Sequence, residues 1–162
     1  MANQDAAFGM KPVRMMGGAP YTGGQSRYRI AANYGTSIFQ GDMVMQVTGG
    51  GVEVHADGGT VPIVGVFNGC SYTDPTTSEQ VFSNFYPAST NASDIIAFVI
   101  DDPNVVFEIQ ADDTFPVADL FGNFDIVYTS SGSTVTGISG AELDVATGAT
   151  TAGLPLKAID IS

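Results

Sequence analysis

Two apolar runs, Ala97-Phe98-Val99-Ile100 and Val105-Val106-Phe107-Glu108-Ile109-Gln110-Ala111, stand on either side of the tetrapeptide Asp101-Asp102-Pro103-Asn104. β-Branched and aromatic residues suit a pleated, half-buried surface. The tetrapeptide is turn chemistry: proline pre-sets φ, and Asp and Asn side chains bond their own backbone. In the second run Val105, Phe107 and Ile109 alternate with Val106, Glu108 and Gln110, a period of two with one apolar face. The stretch predicts a hairpin of two strong strands around a structural turn at Asp101, Asp102, Pro103 and Asn104, at the centre of a β-rich core.

The rest of the chain repeats short alternating segments between Gly-rich turns. Met43–Val47 and Val52–Ala56 flank Gly49-Gly50-Gly51, and Asp57-Gly58-Gly59 turns the chain into Val61–Phe67. Asn68-Gly69 reads as a further turn, with Cys70-Ser71-Tyr72 leading away from it. Residues 73–93 are loop-rich and hold the aromatic cluster Phe82, Phe85 and Tyr86. Asn123–Tyr128, Ala141–Val145 and Leu154–Ile161 are later strands, with Val135 and Ile138 as short candidates and a helical turn near Asp119-Leu120-Phe121. No window holds a clean 3.6 period. The expectation is an all-β fold: a single compact β-barrel or β-sandwich of about eight to ten short strands.

Charge divides the chain. Apolar residues make up 44% and charged residues only 14%, against an average near 25% charged. Residues 1–29 hold Lys11, Arg14, Arg27 and Arg29 against Asp5. Residues 30–162 hold Lys157 against the other sixteen acids, and the whole chain stands at −12. The first segment is broken by Gly and Pro yet carries Phe8, Met10, Val13, Met15, Met16 and Tyr21. It is therefore expected to be an extended N-terminal arm (1–29) that lays apolar and basic groups on a neighbouring surface, on a β-rich body (30–162). A first strand of the same domain is the alternative. The acidic body argues against nucleic acid as a partner. No apolar run approaches the length of a membrane span, and Met1–Asp5 lacks the features of a signal peptide.

No constellation points to catalysis. His55, the sole histidine, falls where an alternating strand would place an outward polar residue, with no second histidine or paired cysteine to share a metal. Cys70 is a lone cysteine without a nucleophile signature, expected to act as a small buried apolar group. Asp101, Asp102 and Asn104, with Asp112 and Asp113 nearby, offer oxygen ligands but lack the Gly and distal Glu of an EF-hand loop, so the turn reading is preferred. A carboxylate-based hydrolase would need two acids in a cleft. The glycine clusters lack the Lys-Ser/Thr of a phosphate loop. No metal or cofactor is expected.

Several stretches taken together do carry a resemblance. They are Met1-Ala2-Asn3-Gln4-Asp5-Ala6-Ala7-Phe8-Gly9, Gly17-Gly18-Ala19-Pro20-Tyr21, Tyr28-Arg29-Ile30-Ala31, Phe39-Gln40-Gly41-Asp42, Gly65–Tyr72, and Phe98–Asn104 followed by Phe107–Ala111. Over positions 1 to 128 the chain resembles a family of small virion structural proteins of tailed bacteriophages, common in marine and cyanobacterial phages. The resemblance implies a head decoration (cement) protein: β-rich, often trimeric, located on the capsid surface after synthesis in the host cytoplasm, and clamping neighbouring subunits of the major capsid protein. It also implies contact through an N-terminal arm, for which Phe8, Met10, Lys11, Arg14 and Tyr21 are the candidates; removing residues 1–25 is then expected to abolish binding and leave the body folded. A tail or fibre component, or a host-surface-binding module using Phe82, Phe85 and Tyr86, is the competing reading.

Overall fold

The computed structural model describes residues 5–56, 58, 61–150 and 153–162. Residues 1–4 of the family resemblance, and Asp57 and Gly59 of the expected turn before Val61, lie outside the described residues. The fold is all-β, as the patterning predicts. Thirteen strands stand among the described residues, several only two residues long. The expected helical turn is present as a single 3-10 turn at Val117–Asp119, slightly earlier than its sequence placement.

The core of the molecule is a barrel. Its walls are β2 (Ser26–Arg29), β4 (Met43–Val47), β5 (Gly51–Val54), β6 (Ile63–Thr73) and β9 (Ile96–Ile100). They hydrogen-bond in the order β4-β5-β2-β9-β6, and a β4–β6 pairing closes the ring. All these pairs are antiparallel except the parallel β2–β5 contact at Arg29 and Gly51. β7 (Gln80–Ser83) adds to β6 outside the ring. A small sheet of β3 (Ile38–Phe39) and β8 (Phe85–Tyr86) joins the same core, with Phe39 and Phe85 stacked at 5.7 Å.

Two cores arise because some strands are buried on both faces. Along β4, Val44 enters the barrel with Ile38, Phe67, Cys70, Tyr86 and Val99, while Met43 points the other way. Along β6, Phe67 and Val66 divide likewise. Adjacent strand residues face opposite sides, so these neighbours fill two separate cores. The second core includes Met10, Phe124, Ile126, Leu143 and Leu156. It lies under a sheet ordered β12-β11-β13, formed by β11 (Asn123–Tyr128), β12 (Ala141–Ala149) and β13 (Leu156–Lys157).

The stretch around residues 101–104 is a turn but not a hairpin. Asp102 Oδ1 accepts the Asn104 N–H at 2.8 Å, and the Val105 N–H reaches the Asp102 carbonyl at 3.1 Å. After the turn the strands part company. β9 pairs with β2 and β6, whereas β10 (Val105–Glu108) pairs with β1 (Lys11–Met15). Val105 is buried and Phe107 and Ile109 line the second core, so the period-two face is real although its partner is remote. Asp101 pins the corner: its Oδ2 accepts the Tyr28 hydroxyl at 2.7 Å. Burial raises the Asp101 carboxyl, but bonds from Tyr28 and Ser26 outweigh it and hold the group below the ordinary range. Tyr28→Phe is expected to cost about 1 kcal/mol, read as a shift of the urea midpoint; an unchanged midpoint would show that the corner does not need this bond.

Other local expectations change. Asn68-Gly69 is a bulge within β6, where the register against β9 slips between Phe67 and Gly69, and the strand runs on through Cys70 to Thr73. Val135 is 94% exposed in a turn, and Ile138 makes only an isolated bridge to Gln40. The last strand is Leu156–Lys157 alone.

Candidate interaction site

The N-terminal segment is extended, and it runs along the body rather than away from it. The Met10 N–H bonds to the Gly41 carbonyl at 2.9 Å, Met10 is buried in the second core, and β1 follows in register with β10, Lys11 opposite Glu108. Gly9 makes this approach possible. It sits at φ +68°, and a Cβ there would lie 2.6 Å from the Ser139 Cβ, a position no larger residue can occupy unchanged. Ser26–Arg29 of the same segment is a barrel wall. Met10 is covered by the body in this way, whereas Val13 and Met16 of the same segment stay exposed.

An open cleft of about 460 Å³ lies between this segment and the barrel. Phe8, Met10 and Lys11 of this segment line it together with Gln40, Val66, Asn68, Ile100, Glu108 and Ile138 of the body. Gln40 donates to Asn68 at 2.9 Å, and Asn68 donates to Gln25 at 2.9 Å, so a chain of side-chain amides stiffens the barrel side. The lining therefore combines apolar side chains with one cation, one carboxylate and two amides. It suits an apolar anchor flanked by polar groups.

Asp42 sits at the bend after Gln40-Gly41, next in sequence to these two cleft-lining residues. Its Oδ2 accepts the Phe39 N–H at 2.7 Å, while Oδ1 has no hydrogen-bond partner among the described residues. Burial pushes its carboxyl up to about 6, against the pull of the Phe39 N–H and the Ser139 hydroxyl. Ser139 Oγ itself accepts the Ala141 N–H at 2.9 Å, and Ser139 N–H bonds to the Gln40 carbonyl, so Asp42 lies where the bend meets the loop before β12.

Three of the five contact residues named from sequence thus meet at one cleft, and two do not. Arg14 pairs with Asp160 at 3.7 Å, and the Tyr21 hydroxyl bonds to the Gly24 carbonyl at 2.9 Å in a separate loop. Gln40, Asn68, Glu108 and Ile138 were not among the contact residues named from sequence, because they come from four distant segments that only folding brings together.

His55 corrects its sequence placement. It is fully buried, not outward: β5 ends at Val54, and the ring turns inward, Nε2 bonding with the Val61 carbonyl at 2.8 Å. Its backbone is held by Met43 and by the Tyr128 hydroxyl. Cys70 is buried in the barrel, and burial pushes its thiol up to about 12, so it holds its proton at neutral pH. Asp101 and Asp102 are engaged with Tyr28 and Asn104 at the corner. Among the described residues no three His, Cys, Asp or Glu side chains gather at metal-binding distance, and no helix is long and apolar enough to cross a membrane.

Comparison with protein-family models, curated proteins and solved structures finds no match to this chain.

Proposed function

We propose that this chain is a structural protein of a tailed-phage particle, a decoration protein that binds the outer surface of the head and clamps neighbouring subunits of the major capsid protein. The resemblance of residues 1–128 suggests the class. The observation that carries the site is the convergence of Phe8, Met10 and Lys11 with Gln40, Asn68 and Glu108 around one open cleft. On this reading an apolar side chain of a shell subunit enters the cleft while Lys11 meets a carboxylate at its rim. Each copy binds the assembled lattice in preference to free subunits, so occupancy stabilises the shell by mass action. Contact with more than one subunit multiplies the effect.

Removing residues 1–25 is not a clean test, because it strips Met10 from the second core and leaves β10 without its β1 partner. The better test is sedimentation of head shells mixed with the full chain and with a Phe8→Ser/Lys11→Glu variant, checked for fold by circular dichroism. Saturable co-sedimentation of the native chain, reduced at least about tenfold in affinity by the double change and retained in Lys157→Glu, is the expected result; loss of one desolvated charge contact or one buried anchor is of that order. Undiminished binding by the folded double variant would overturn the cleft assignment. Binding to tails but not heads would move the protein to the tail or fibre role.

A further inference from the structure

The barrel's outer wall carries a second surface, separate from the cleft. Along β2, Tyr28 packs against the barrel core while Arg27 and Arg29 are exposed. Register extends this outward row across three more strands: Arg29 lies opposite Ile96, Ile96 opposite Ser71, and Ser71 opposite Phe82. Arg27 lies opposite Phe98, its guanidinium 5.9 Å from the ring centre. Directly opposed residues of an antiparallel pair share a face. The arginines, Ile96, Phe98 and Phe82 therefore form one strip from β2 to β7. Ile96 and Phe98 belong to neither core, and Phe82 is 74% exposed on a strand that pairs with β6 alone.

The two arginines have no carboxylate partner among the described residues, where the one ion pair is Arg14 with Asp160. The acids at the two ends of β9 are engaged elsewhere, Asp94 with Thr73 and Asp101 with Tyr28. Beyond residue 29 the chain sets Lys157 against sixteen acids, of which Asp42, Asp125 and Glu142 are buried, so the charge on the body is overwhelmingly opposite in sign to that of the two arginines. Arginine and aromatic side chains side by side are what the centres of protein interfaces favour.

We infer that the Arg27–Arg29–Phe98–Phe82 strip docks on the acidic surface of a second copy of this chain. The contact joins two different patches, so it is head-to-tail, and a rotation that closes gives a ring. This association goes beyond the shell-binding reading and does not depend on it.

Sedimentation velocity of the full chain over a wide concentration range tests it. The native chain is expected to sediment as an oligomer, and Arg27→Glu/Arg29→Glu and Phe82→Ser as the 16.8 kDa monomer, with Lys157→Glu still oligomeric. Should the double charge reversal fail to fold, Arg27→Gln/Arg29→Gln removes the charges more gently and is expected to raise the dissociation constant at least about tenfold. A native chain that stays monomeric at the highest concentration, or folded variants that sediment like it, overturns the inference.

Discussion

Gly65→Ala is expected to destabilise the protein by about 3 kcal/mol, lowering the thermal midpoint by roughly 6–12 °C for a domain of this size. Gly65 lies in β6 where that strand is flanked by β4 and β9 together, opposite Val44 on one side and next to the Val66–Ile100 pair on the other. A Cβ added there would stand 2.3 Å from the Ile100 carbonyl oxygen and 2.8 Å from a Val99 methyl. The first of these is backbone, so relief requires β6 and β9 to separate. That loosens the barrel at the seam which buries Val99, Ile100 and Phe67. Gly17→Ala is the control, since a Cβ at Gly17 meets nothing within 4 Å; it is expected to change stability by less than about 0.5 kcal/mol. Equal thermal midpoints for the two variants would show that the seam tolerates the added methyl.

Asp42 makes stability depend on pH in a direction unusual for a carboxylate. Its folded value of about 6 lies above the ordinary 3.8, so the fold favours the protonated form. Its contribution is complete below the unfolded value and is lost as pH rises through 6. The full difference corresponds to roughly 3 kcal/mol. Between about pH 8 and about pH 5 the native chain is expected to gain about 1 to 2 kcal/mol of that. Asp94 and Asp101 are held below the ordinary range and stay charged across this window. Asp42→Asn keeps an oxygen for the Phe39 N–H and removes the buried charge. It is expected to be more stable than the native chain at pH 8 by about 3 kcal/mol and to lose most of the acid-side gain. Urea midpoints of both proteins at both pH values decide the matter; a native midpoint that falls on acidification to pH 5 would refute the assignment.

The strands were legible in the sequence where alternation was strong, and their partners were not. Asp102 and Asn104 announce a turn because the turn is made by their own side chains. Nothing local tells β9 to pair with β2 and β6, or β10 with β1. Asn68-Gly69 has the chemistry of a hairpin turn, but the ladder of β6 against β9 continues past it and absorbs the extra residue as a bulge. His55 obeyed the alternation up to Val54 and then departed from it, because the strand had ended. The charge division between residues 1–29 and the rest was plain from the sequence. The cleft was legible only in its N-terminal half, since its other side is assembled from positions that share a place only after folding.

The ring closure has a consequence for how the chain is made. β2 leaves the ribosome early, yet its antiparallel partner is the last wall of the barrel to be synthesised: the Tyr28 hydroxyl waits for Asp101, 73 positions later. β4, β5 and β6 can pair with one another as they emerge, because they follow in sequence. Through that interval Tyr28 and Ile30 lack the β9 wall that completes their shelter, and pairings this distant form slowly. A β2 made long before its β9 partner is the condition under which strand exchange between chains competes with closure within one.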